Sequence, residues 1–125
     1  FPTREDAGAS FRLTPRETRA PAERLVHLGE RGAVERAPGT WEWAYDPRVF
    51  LHPPVDPFPF LPKIACPALV VRGEGSGVMD RSGWQAVATA VPQGKFAELR
   101  GAYHHLILDD PAGFVALVDR YLPLP

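Results

Sequence analysis

The side chains best suited to acid–base chemistry lie in two short stretches. One is GAYHHLILDDP, Gly101–Pro111, which holds His104 and His105; the other is GEGSGVMD, Gly73–Asp80, which holds Glu74 and Asp80. An imidazole can take and return a proton near neutral pH, and a carboxylate that orients it completes the logic of a nucleophile-activating triad. A metal site is the competing use of two histidines. Adjacent residues seldom aim both rings at one ion, and the sequence has one cysteine, Cys66, and no His-x-x-x-His, so no metal is expected. The glycine-rich stretch Gly73–Gly77 lacks the Lys-Ser/Thr of a phosphate loop and the register of a dinucleotide fingerprint. It is not a G-x-S-x-G elbow either, because Glu74 and Val78 flank Ser76 where glycines are required. Ser76 is therefore not read as a nucleophile, and neither Ser10 nor Ser82 sits on such an elbow.

The elements that must carry these residues read clearly from residue 64 onward. Ala68–Arg72 is a continuous, largely β-branched run, as in a buried parallel strand. Asp80 can cap a helix running to about Val91, with Trp84, Val87, Ala88 and Val91 on one face. Lys95–Leu99 reads as a second strand that Gly101 breaks. Asp110-Pro111 then starts a last helix with Phe114, Leu117, Val118, Tyr121 and Leu122 at helical spacing. Strand, helix, strand, helix is the pattern of a parallel sheet, and it puts both chemistry-bearing loops at the carboxyl edge, where ligands collect in open α/β sheets.

Ahead of this lies a region of different character. Thr3 followed by Asp6 has the form of a capping box for a helix to about Ser10. A second helix is expected from Ala22 to about Arg31, weakened by Gly29, with His27 as a structural or exposed residue. Trp41, Trp43 and Tyr45 alternate with Glu42 and Ala44, which predicts a short extended segment. Trp41 and Trp43 either line a substrate pocket or pack a small lobe onto a larger one. Eight of the 15 prolines fall between positions 38 and 67, so regular structure should be sparse there. His52, among them, is assigned no role.

Composition narrows the function classes. The 125 residues are 45% hydrophobic and 23% charged, with 14 Lys+Arg against 15 Asp+Glu and a net charge of −1. That fits a globular domain and gives no footprint for a nucleic acid. No apolar run reaches the roughly 20 residues that span a bilayer, and no signal-peptide pattern is present, so no membrane association and a cytoplasmic location are the expectation. No cofactor motif is present.

IACPALVVRGE (Ile64–Glu74) and GAYHHLILDDP resemble the penultimate strand and the histidine loop of the α/β-hydrolases. PTREDAGASFRLTP and WEWAYDPR are similar to the end of the cap region in that superfamily. The resemblance implies an α/β fold: the carboxyl-terminal βαβα portion of an α/β-hydrolase parallel sheet, preceded by a helical, proline-rich cap segment. Residues 1–62 would be the end of the cap and 63–125 the end of the core. By the family motif G-x-x-H the catalytic histidine maps to His104, with His105 shaping the loop. The usual positions of the acid fall on Ser76 and Gly77, which are not carboxylates, so the acid is left to Glu74, Asp80 or a preceding strand.

The implied activity is that of a serine hydrolase on an ester or similar small apolar substrate, with Trp41, Trp43, Phe58 and His105 as candidate pocket walls. The nucleophile elbow and oxyanion loop have no counterpart in the sequence, which opens at Phe1 and not at Met. The implied partner is an amino-terminal hydrolase half. The alternative is a non-catalytic hydrolase remnant that dimerises through its open sheet edge.

Overall fold

A computed structural model describes residues 1–51 and 53–121, so His52 and Leu122 lie outside the described residues. The chain divides into two compact units, Phe1–Arg16 with Ala20–Pro54 and Glu17–Arg19 with Val55–Pro125.

In the first unit, α1 (Arg4–Ser10) starts at Thr3, whose side chain accepts from Asp6 N–H at 3.0 Å while its hydroxyl donates to the Asp6 carboxylate at 2.7 Å. The Thr3 N-cap expected from the sequence is formed, and the Asp6 carboxylate reaches back to the Thr3 hydroxyl. α2 (Ala22–Gly32) crosses α1 at Gly8 and Gly29. A Cβ on Gly29 would lie 2.5 Å from Phe11 Cβ and 2.9 Å from Gly8 Cα. Gly29 is thus a contact point that lets two helix backbones touch, where the sequence alone marked it as a weakness. His27 is exposed on α2.

The chain then makes a hairpin that the sequence reading half anticipated. β1 (Ala33–Ala37) pairs antiparallel with β2 (Thr40–Trp43), with Gly39 at φ +70° in the turn. The alternation at Trp41 and Trp43 marked β2. β1 escaped because Val34-Glu35-Arg36-Ala37 has no apolar alternation, and its pairing is set by the Pro38-Gly39 turn. Trp43 packs edge-on against Phe1 and Phe11 and stacks with Tyr45, while Arg4 lies 4.6 Å over Trp41.

The second unit holds β3 (Ala68–Gly73), α3 (Arg81–Ala90), β4 (Gly94–Leu99), α4 (Leu106–Asp109) and α5 (Pro111–Tyr121). β3 and β4 are parallel neighbours in the register Ala68↔Gly94 to Gly73↔Leu99. Side chains alternate between the faces of a strand, and each face has its helix. Val70, Arg72, Phe96 and Glu98 share the α3 face, where Arg81 lies 5.5 Å over the Phe96 ring and a Cβ on Gly94 would strike Ala88 O. Leu69, Val71, Ala97 and Leu99 share the α5 face, where Lys95 Nζ donates to Tyr121 O at 3.2 Å. This is the α/β arrangement expected from the strand–helix alternation.

Two expectations need correction. The stretch between Gly101 and Asp110 is not all loop, because Leu106–Asp109 forms one helical turn, α4. Four residues are too few for a periodic signal. β3 is also not a buried strand: Ala68 to Arg72 are all half-buried. Among the described residues β3 pairs with β4 alone, and its Leu69–Val71 face opens into a groove. Among the described residues the buried apolar set is correspondingly small, being Ala88, Val91, Ala97, Leu99 and Ala102 in this unit, and no large side chain is fully buried. Among the described residues no helix is long and apolar enough to cross a membrane.

Candidate active site

Because Gly73 and Leu99 are register partners, β3 and β4 end level and their loops leave the same edge of the sheet. Backbone hydrogen bonds then join the loops. Glu74 N–H donates to Leu99 O at 3.0 Å and Gly75 N–H to Ala102 O at 2.9 Å. The approach requires Gly73, where a Cβ would lie 1.9 Å from Tyr103 O and 2.8 Å from Ala102 O. Gly101, at φ +72°, turns the chain from β4 into the histidine loop, a backbone conformation that favours glycine.

This zipper delivers His104 to Ser76. The imidazole Nδ1 lies 3.4 Å from Ser76 Oγ, the long end of a hydrogen bond, and the serine is only 6% exposed. His105 meets the His104 ring edge-on, with centroids 5.2 Å apart. Beside both rings lies an apolar groove of about 680 Å³, walled by Leu69 and Val71 of β3, Leu106 and Leu108 of α4, and Phe114 and Val118 of α5.

The two carboxylates singled out from the sequence are occupied with backbone. Glu74 Oε2 accepts from Gly101 N–H at 2.8 Å and so steadies the turn into the histidine loop. Asp80 caps α3, accepting from Gly83 N–H at 2.7 Å and from the Ser82 hydroxyl at 2.9 Å. Those two bonds, the backbone one first, hold the Asp80 carboxyl below the usual carboxylate range. The group that faces His104 Nδ1 is Ser76 instead. Trp41 and Trp43 belong to the first unit, and Phe58, in the second, is exposed and does not line the groove beside His104.

Two residues that frame the site carry no mark in the sequence. Arg72, whose side chain is 11% exposed, donates to Glu98 Oε2 and to Glu74 O at 2.8 Å each and to Ser76 O at 3.0 Å, so one guanidinium grips the serine loop. Glu98 faces it only through the parallel register, which spacing along the chain cannot reveal. Asp109 accepts from Tyr103 N–H at 2.6 Å, Arg19 N–H at 2.7 Å and the Thr18 hydroxyl at 2.5 Å. Burial pushes the Asp109 carboxyl up, but these three donors and the nearby charge of His105 outweigh it and hold it below the ordinary value. Among the described residues no group of three or more His, Cys, Asp or Glu side chains is placed to hold a metal ion.

The chemistry on offer is that of one histidine, steadied on one side by a buried hydroxyl and set beside an apolar groove. Ser76 is badly placed to be a nucleophile itself, since a buried hydroxyl cannot meet an incoming carbonyl carbon.

No protein-family model matches the sequence, and no curated protein matches it. The structure is similar to the crystal structure of E-2-(acetamidomethylene)succinate hydrolase, an α/β-hydrolase, with a TM-score of 0.74 and 18% sequence identity. The likeness covers 99% of this chain and 47% of that one, so the chain spans about half the length of that hydrolase. At this identity the likeness speaks for the fold, and the fold of this chain is that of part of an α/β-hydrolase.

Proposed function

We infer that this chain carries the base-bearing part of a serine hydrolase acting on an ester or similar small apolar substrate, with His104 as the general base. The observation that carries the reading is the placement of His104. It stands at the carboxyl edge of a parallel sheet, on a loop fixed by Gly73, by the Gly75–Ala102 bond and by Asp109, and it borders an apolar groove. In the reaction, His104 Nε2 takes the proton of a nucleophilic hydroxyl as its oxygen attacks the ester carbonyl, and then returns that proton to the departing alkoxide. The nucleophile and the donors for the oxyanion come from the part of the fold outside the 47% that this chain matches. Glu74 and Asp80 act indirectly, by holding the two loops in shape.

The experiment is complementation. The chain is combined with the first half of an α/β-hydrolase carrying its nucleophile, and p-nitrophenyl ester cleavage is followed. His104→Ala should lower turnover at least ~100-fold. Normal turnover by that variant would remove His104 from the mechanism.

A second reading rests on the open edge of β3, which has no strand partner but β4 among the described residues. Two copies pairing edge to edge would satisfy those backbone groups without catalysis. A dimer in solution that takes no fluorophosphonate label when combined with the complementing half favours this reading over the first.

A further inference from the structure

Ser76 is the buried polar side chain of the described residues, 6% exposed. A hydroxyl taken out of water needs a hydrogen-bond partner, and groups of this kind nearly always have one. Here the partner is His104 Nδ1 at 3.4 Å. The loop behind the hydroxyl is held at several points. Ser76 N–H donates to Gly73 O at 2.9 Å, and Arg72 binds the carbonyls of both Glu74 and Ser76 while Glu98 anchors its guanidinium. The strand that carries Arg72 and the strand that leads to His104 are register neighbours, so the position of the hydroxyl relative to the ring is set by the sheet itself.

We propose that Ser76 is a positioning residue: its Oγ accepts the Nδ1–H of His104 and so holds the imidazole in the tautomer whose Nε2 lone pair is free. The proposal rests on the reading of His104 as base, because the opposite arrangement, with the hydroxyl donating to Nδ1, would leave the proton on Nε2 and block proton uptake there. A carboxylate at this place could only accept, and would fix the tautomer and stabilise the imidazolium by charge together. A hydroxyl separates the two effects. It orients the ring and sets the proton, and adds no charge.

The test reads the tautomer directly and needs no catalysis. Long-range ¹H–¹⁵N spectra of the ¹⁵N-labelled chain, taken where the imidazole is neutral, distinguish a protonated Nδ1 from a protonated Nε2. The wild type should show His104 with Nδ1 protonated, and Ser76→Ala should shift the ring toward the Nε2–H form that free imidazole side chains prefer in water. Ser76→Thr, which keeps the hydroxyl, should restore the Nδ1–H form. Ser76→Asp, whose carboxylate can only accept, should keep it as well. An Nε2–H ring in the wild type, or an unchanged tautomer in Ser76→Ala, overturns the proposal. Should Ser76→Ala fail to fold, the wild-type spectrum still decides. Failure of the base reading would appear separately, as undiminished ester turnover by His104→Ala, and would leave these spectra as they are.

Discussion

The sharpest test of how the site is assembled is Gly73→Ala. The added Cβ would sit 1.9 Å from Tyr103 O and 2.8 Å from Ala102 O. An ordinary carbon–oxygen contact is about 3.3 Å, so the Tyr103 carbonyl must retreat by about 1.4 Å. Both atoms are backbone, one residue and two residues before His104, and neither can yield by rotating a side chain. Overpacking of this kind costs about 1–3 kcal/mol, and loss of the Glu74–Leu99 and Gly75–Ala102 bonds adds about 1 kcal/mol each. The sum, about 3–5 kcal/mol, is a large share of the stability of a small domain. At a urea slope of about 1–3 kcal/mol per M it should lower the unfolding midpoint by more than ~1 M.

Gly77→Ala is the matched control. It lies in the same loop, and a Cβ there meets nothing within 4 Å, so its stability should stay within about 0.5 kcal/mol of wild type. In Gly73→Ala the Ser76–His104 contact, already 3.4 Å, should open and the His104 tautomer signal should be lost. If the two alanine variants have the same urea midpoint and the same imidazole spectrum, the loops are not held together at Gly73 and the account of the site is wrong.

Two further outcomes follow from the groups around the loops. Asp109 titrates below the ordinary carboxylate value because its three donors outweigh burial. Its contribution is therefore fully present above the unfolded-state value of about 4 and is lost as pH falls through the lower folded value. Asp109→Asn should cost about 1–3 kcal/mol at pH 7, with the gap to wild type closing below about pH 4; a gap constant from pH 3 to 7 would refute this. Arg72→Met should cost about 2–3 kcal/mol, because it strands the largely buried Glu98 carboxylate, which keeps only Arg81 at 3.6 Å. Adding Glu98→Gln should recover part of that stability and none of the loop order, since the Glu74 and Ser76 carbonyls stay unpaired; equal recovery of both, read by urea midpoint and by amide exchange in residues 74–79, would contradict the role given to Arg72.

What could be read in the sequence is what is local. Thr3 with Asp6, Asp80 three residues before Gly83, and Asp110 three before Gly113 all announce helix starts, and all three bonds are present at 2.7–3.0 Å. The β-branched run of β3 and the pattern around β4 gave the parallel pair for the same reason. The site was legible as far as its edge of the sheet and its histidine loop. Ser76 stands in the right loop, but a hydroxyl there is not the carboxylate that a triad calls for, and nothing local marks its contact with His104. Arg72–Glu98 and the Asp109 cluster depend on strand register and on partners up to 91 residues away, and no pattern within one element encodes them. Gly29 looks like a weak point in sequence, and Gly73 like one more loop glycine, because only the neighbouring backbone, absent from any local window, shows why a side chain is excluded.

The Asp109 cluster also bears on how the chain can be divided. Residues 17–19 belong with the second unit although the bulk of the first unit follows them in the chain. A single cut after Pro54 would therefore not release a whole second unit. The piece from Val55 onward would lose Thr18 and Arg19, leaving Asp109 with the Tyr103 N–H as the remaining donor of its three. The histidine loop thus takes its working shape from residues that a domain boundary drawn along the sequence assigns elsewhere. Any shuffling of these two units, by recombination or by a protein engineer, must carry a three-residue tie with the part that bears His104.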